Sequence, residues 1–228
     1  MFSKSGEAPR ECKIVEVCDG SSPYLPEMEN ILQALLPALN PCFREILSQR
    51  RDERGRVRAQ IFVGLCDHRV AGLMQIFYRQ WRNNLVANVD VLGVLEPFRR
   101  TNLGIVLMRQ AISAAMKVSA QYKLPVVGVV WLVEPDQGPL DSWPVRRVRM
   151  FEKMGGQVRR DLRYRYEGQS YPDGELIFWY PLCQEFSDVD TKSLAWLLWQ
   201  FGQLPEKEFA RRYGQLDSEN IHQKSSVS

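Results

Sequence analysis

The stretch at residues 99–104, Arg-Arg-Thr-Asn-Leu-Gly, has the clearest potential for chemistry. It lies between an apolar run with strand character and a segment with helical periodicity. A loop running from a strand into a helix presents successive backbone N–H groups at the positive end of the helix dipole, which suits a pyrophosphate. Arg99 and Arg100 add charge, Asn102 tolerates positive φ at modest cost, and Gly104 lets a ligand come close to the backbone. A second concentration lies between residues 146 and 165. Arg146, Arg147, Arg149, Arg159, Arg160, Arg163, Arg165 and Lys153 face only Glu152 and Asp161 there, a local charge of +6. Planar guanidinium forks suit phosphate groups, although such a patch also serves as a solvated face laced with ion pairs.

Other chemistries are poorly supplied. The five cysteines, Cys12, Cys18, Cys42, Cys66 and Cys183, are scattered without a CxxC pair, and only His68 and His222 could assist them. Neither a metal site nor a disulfide framework is expected, and a Cys/His nucleophile would have to use His68, in a turn. The net charge is +3, from 30 basic residues (22 Arg and 8 Lys) against 27 acidic ones, too little by itself to argue for nucleic acid.

The elements that must position the loop follow from period and punctuation. KIVEVCD alternates as a first strand. From Leu25, Met28, Ile31, Leu32, Leu35, Leu36 and Leu39 recur at helical spacing as far as Pro41, and a second helix is expected from Phe43 to about Arg51. RAQIFVGLC and VAGLMQIFYRQW read as a hairpin around Asp67-His68, and LVANVDVLGVL as the next strand after Asn83-Asn84. The loop at 99–104 opens a helix with apolar Ile105, Leu107, Met108, Ala111, Ile112, Ala115 and Met116. LPVVGVVWLV is nearly all apolar, as for a strand covered on both faces beside a crossover helix. VRRVRMFEKM reads as a helix stopped by Gly155-Gly156, and QVRRDLRYRYEG and ELIFWYPL as two last strands. Beyond them TKSLAWLLWQFG and PEKEFARRYGQ read as helices and SENIHQKSSVS as a disordered tail. Trp196 and Trp199 either dock the first of these helices on the domain or mark a partner or dimer surface.

A composition of 45% hydrophobic, 25% charged and 11% aromatic residues is that of a packed globular chain. The longest near-continuous apolar run, residues 124–133, is interrupted by Pro125 and Gly128 and falls short of the roughly 20 residues a membrane span needs. No apolar stretch precedes the first charges, so the expectation is a cytoplasmic protein without a signal peptide or membrane partner.

Arg99-x-x-Asn102-x-Gly104 resembles the acetyl-coenzyme A signature of the GCN5-related N-acetyltransferase (GNAT) superfamily, Arg/Gln-x-x-Gly-x-Gly/Ala, with the first Gly replaced. VLGVLEPFRRTNLGIVLMRQAI is similar to that family's strand-loop-helix motif, and VRRVRMFEKMGG to its later Tyr-Glu-Lys-Leu-Gly-Phe helix. The resemblance implies an α/β acyl-CoA N-acyltransferase fold over residues 13–186, a mixed, mainly antiparallel sheet flanked by helices. A helical C-terminal extension at 187–215 and a disordered tail at 216–228 complete the chain. It further implies that a strand at 91–94 splays from one at 126–133, that the backbone of Leu92 and Val94 pairs with the pantetheine arm, and that Arg99, Arg100, Thr101, Asn102, Leu103 and Gly104 hold the pyrophosphate. Acetyl-CoA is then a co-substrate, no metal is needed, and an amine attacks the thioester directly.

The departures from the family bear on catalysis. Phe151 stands where the family often has a Tyr that protonates the leaving thiolate, and Leu132-Val133-Glu134 where it often has an Asn. Glu134 is the catalytic candidate as general base if burial raises its pKa, or else an exposed loop carboxylate. Asp90 is a second base candidate or a residue of a solvated face, and Tyr166 or Tyr171 could replace the missing acid. Three function classes follow: an N-acetyltransferase acting on a primary amine, a non-catalytic acyl-CoA-binding protein, and an acetyltransferase acting on an RNA-linked acceptor that the Arg cluster recognises. The first is the reading adopted, with RNA not favoured and a homodimer left open.

Overall fold

Asp67 and His68 both adopt positive φ, 51° and 65°, and so form a two-residue turn whose twist matches that of a hairpin. This turn joins two strands in a chain that begins with β1 (Cys12–Val17), α1 (Leu25–Leu35), α2 (Phe43–Ser48), β2 (Ala59–Cys66), β3 (Arg69–Trp81) and β4 (Asn84–Val94). A 3₁₀ turn (Glu96–Phe98) then leads into α3 (Leu103–Tyr122), β5 (Val126–Val133), α4 (Trp143–Lys153), β6 (Gln157–Tyr164), β7 (Glu175–Pro181) and α5 (Thr191–Gln200). The computed structural model describes residues 11–35, 43–81, 83–99, 101–135, 138–140, 142–164, 175–187 and 189–200. The expected helix at 205–215 and tail at 216–228, together with Arg100, Arg165, Tyr166 and Tyr171, lie outside the described residues. The strand order is β1-β2-β3-β4-β5-β7-β6, a mixed sheet of seven strands flanked by helices, as the sequence implied.

Two compact units divide the chain, residues 1–77 with 89–114 and residues 78–88 with 115–228. In the first, the helical spacing of α1 puts Leu25, Met28, Ile31 and Leu32 on one buried face. They pack with Phe43 and Leu47 of α2 on Ile61, Val63 and Leu65 of β2 and Leu73 of β3. Strands β1 and β2 pair antiparallel with Cys12 opposite Cys66, and these two cysteines form a disulfide with Cα atoms 4.2 Å apart. The expectation of no disulfide is thereby corrected. Spacing along the chain, a separation of 54 residues, carries no pairing signal, whereas antiparallel register sets the two Cβ atoms side by side.

In the second unit β5 is buried along its whole length except for half-buried Leu132, as its unbroken apolar run foretells. Antiparallel β7 brings the Trp179 ring over Gly128, where a Cβ would sit 2.2 Å from the indole. Leu194, Ala195, Leu197 and Leu198 of α5 close over Val127, Val130, Ile177 and Trp179, with Trp196 packed beside them, so this helix docks on the unit. Helix α4 ends where Gly155 takes φ 94°, a conformation that favours glycine after a last helical turn.

Helix α3 is the one described helix long and apolar enough to cross a membrane by length and composition, which qualifies the expectation drawn from residues 124–133. Its Leu103, Leu107, Met108, Ala111, Ala114, Ala115 and Val118 are buried within the fold.

Candidate functional site

The turn before α3 is built from local hydrogen bonds. The amide of Phe98 donates to the Leu95 carbonyl (2.9 Å), Arg99 to Glu96 (3.2 Å) and Thr101 to Phe98 (3.1 Å), and the Thr101 hydroxyl also reaches the Phe98 carbonyl (2.7 Å). Asn102 then takes φ 62°, and its carbonyl accepts the amide of Val106 (3.1 Å), the first bond of the helix. The family pattern has Gly at this position, and Asn is among the few other residues that enter the left-handed region readily. The amides of Leu103, Gly104 and Ile105 fall in the first turn of α3, where no i−4 carbonyl exists for them. They lie at the positive end of a 20-residue helix.

Leu103 anchors this turn. Its side chain is wholly buried and lies over Gly64 and Gly72, where added Cβ atoms would meet it at 2.8 and 3.3 Å. Those two glycines in β2 and β3 make the space that Leu103 fills. Gly104 differs, since a Cβ there would meet only Val94 Cγ2 at 3.9 Å, an ordinary contact. Space within the fold does not require glycine at 104. Arg99 is exposed and donates from Nε to the Val94 carbonyl (3.2 Å), tying the loop to the strand that leads into it. Leu92 and Val94 are both half-buried on β4. The described cofactor candidates, Leu92, Val94, Arg99, Thr101, Asn102, Leu103 and Gly104, all lie in the first unit.

Asp90 is exposed, and its carboxylate accepts a hydrogen bond from the buried Gln75 amide (3.0 Å). Phe151 packs in the core at 2% exposure, its ring centroid 5.2 Å from that of Trp131 and 5.5 Å from that of Phe178. The position is aromatic because it fills space between α4 and the sheet.

Glu134, directly after β5, lies in the second unit and forms an ion pair with Nη2 of Arg147 on α4. The Arg147 Nε is buried and makes no hydrogen bond. A third charged group, Glu175 at the start of β7, joins them. Burial and the neighbouring Glu134 carboxylate push its pKa up, with Arg147 pulling the other way, to about 7. Sequence reasoning missed Glu175, since nothing near it in the chain marks it. The only signal is the β5–β7 register, Val133 opposite Leu176, which continued by one residue sets position 134 opposite 175. Of the Arg cluster, Arg146, Arg149 and Arg160 are exposed, while Arg159 is half-buried and donates to the Val189 carbonyl. No group of three or more metal-binding side chains occurs among the described residues.

No protein-family model matches the chain, and no curated protein sequence matches it. Solved structures do. The chain is similar to Arabidopsis thaliana NAA60 in complex with acetyl-CoA, at 13% identity and a TM-score of 0.56 over 75% of this chain and 99% of that one. Ard1 from Thermoplasma volcanium matches at 20% identity and a TM-score of 0.51, over 76% and 99%. A Bacillus subtilis acetyltransferase in complex with CoA matches at 13% identity and a TM-score of 0.51, over 76% and 100%. Each likeness spans about three quarters of this chain and nearly all of its neighbour, and the fold of this protein is that of the GNAT acetyltransferases.

Proposed function

We propose that the protein is an acetyl-CoA-dependent N-acetyltransferase that moves the acetyl group to a primary amine by direct attack. One observation carries the reading: the strand-turn-helix closed by Asn102 at φ 62°, followed by a Gly104 that the fold does not itself require, at the amide end of α3. First-turn amides of a helix suit a pyrophosphate, and two of the solved structures of this fold were obtained with acetyl-CoA or CoA bound. In this reading Leu103, Gly104 and Ile105 supply amides, Arg99 and Arg100 charge, and the backbone of Leu92 and Val94 polar groups for the pantetheine arm. Acetyl-CoA supplies the activated acyl group. The chain contributes orientation and the handling of the amine's proton, with Glu134 in the proton-handling group.

Phe151 favours a second reading, a protein that binds acyl-CoA without transferring the acyl group. A buried phenyl ring has no proton for a leaving thiolate. Calorimetric titration with acetyl-CoA, followed by a screen of primary amines for CoA release, separates the readings. Micromolar binding, lost in an Arg100→Ala/Gly104→Asp double variant and accompanied by amine-dependent CoA release, is the expected outcome. Binding without release on any amine favours the second reading, and absence of binding by the parent protein overturns both.

A further inference from the structure

Cys12 and Cys66 stand opposite each other at one end of the β1–β2 ladder and are joined by a disulfide. The ladder runs one step further, where the Asp67 amide donates to the Glu11 carbonyl (3.2 Å), just before the chain turns at Asp67-His68. The two sulfurs differ in setting. Cys66 is wholly buried on a strand held between β1 and β3, whereas Cys12 is half-buried on β1, which stands at the edge of the sheet. Two residues back along β2, and therefore on the same face of the strand, is Gly64, on which the Leu103 side chain rests. Leu103 opens α3 and anchors the turn before it, and Ile14 of β1 is the register partner of Gly64. The disulfide, the Leu103 seat and the turn all belong to the first unit.

Resting on the acetyl-CoA reading, we propose that the Cys12–Cys66 bond is a redox latch on the turn that opens α3. Closed, it holds the end of β1 beside the Leu103 seat and favours acetyl-CoA binding, and open, it weakens that binding. The reductant is a dithiol. One of its thiolates attacks the more accessible Cys12 Sγ, the bond between the two protein sulfurs breaks, and Cys66 leaves as a thiolate that takes up a proton. The second thiolate then attacks the dithiol's own sulfur in the mixed disulfide, and Cys12 is released and protonated. Two electrons pass to the protein and the dithiol becomes a cyclic disulfide. Two unbonded sulfurs need van der Waals separation, and β1 is the strand free to yield, because β2 is hydrogen-bonded on both sides. Movement of β1 at Cys12 carries Ile14 with it and loosens the surroundings of Gly64, on which Leu103 rests.

The test poises the purified protein in oxidised or reduced dithiothreitol. It reads the alkylation of Cys12 and Cys66 by peptide mass spectrometry, acetyl-CoA affinity by calorimetry, and amide hydrogen exchange in peptides covering β1 and residues 101–108. Both cysteines are expected to resist alkylation in the oxidised protein and to react in the reduced one. Reduction is expected to weaken acetyl-CoA binding by about 5-fold or more, the lower end of ordinary coupling between sites, and to speed exchange in both peptides while circular dichroism shows the protein folded. Cys12→Ala should bind as the reduced parent does in either buffer, whereas Cys18→Ala, which removes an exposed free thiol, should respond as the parent does. Cysteines 12 and 66 that alkylate in oxidised dithiothreitol, or equal acetyl-CoA affinity in the two states, would overturn the latch alone. Unfolding on reduction also overturns it, since the bond is then a structural staple. Parent protein that binds no acetyl-CoA in either state overturns the acetyl-CoA reading, and the latch falls with it.

Discussion

Glu175 shows how a single residue takes its chemistry from its surroundings. Its pKa rises from 4.5 to about 7 because burial and the Glu134 carboxylate both disfavour the charged form. A carboxyl with a raised folded-state pKa contributes stability below its unfolded value and loses that contribution as pH rises through its folded value. Relative to the parent, Glu175→Gln should therefore gain in melting temperature between pH 4.5 and about 7 and be level with it at lower pH. Thermal melts at half-unit pH intervals measure this, and parallel curves across the range would contradict it. Asn102 was legible in the sequence, because a strand, a short loop and a periodic helix announce a turn that needs special φ. Glu175 was not, because its neighbours in the chain carry no comparable pattern and its partners lie just after β5 and on α4.

Elements succeed or fail by how closely they approach one another. The Trp179 indole rests on Gly128 at a distance that leaves no room for a methyl group, and a Cβ would meet Trp179 Cη2 at 2.2 Å. Gly128→Ala should then cost about 1–3 kcal/mol or more, since either the indole or β5 must move, and Trp179 would lose its hydrogen bond to the Phe186 carbonyl. Denaturant unfolding followed by tryptophan fluorescence tests this, and an unchanged midpoint would show that the ring moves freely. The apolar run at 124–133 predicted a strand covered on both faces, yet no feature of the run says which of its residues meets a tryptophan. The pairing of Cys12 with Cys66 belongs to the same scale, being a consequence of β1–β2 register that no CxxC-type spacing signals.

For the molecule as a whole, α5 is an integral part of the second unit. Leu194, Leu197 and Leu198 have no solvent exposure and cover Val127, Val130, Ile177 and Trp179. Burying each leucine is worth about 1.5–3 kcal/mol. Together they represent a large share of the roughly 5–15 kcal/mol that holds a typical domain folded. A chain ending at residue 190 should be insoluble or should bind a hydrophobic dye strongly, whereas a soluble, dye-silent product would mean that α5 is dispensable. The apolar residues of TKSLAWLLWQFG left docking and a partner surface open, and the packed strands beneath the helix decide for docking.

By itself the sequence determined the order and type of the described helices and strands, the turn chemistry at Asp67-His68 and Asn102, and the strand-loop-helix that leads into α3, because hydrophobic period and φ preference are properties of neighbouring residues. Only the tertiary structure decided that Leu103 lies over Gly64 and Gly72, that Cys12 meets Cys66, and that Glu134, Arg147 and Glu175 share one place. Those contacts join residues 13 to 54 positions apart, and strand register and helix packing alone fix which of the many distant pairs come together.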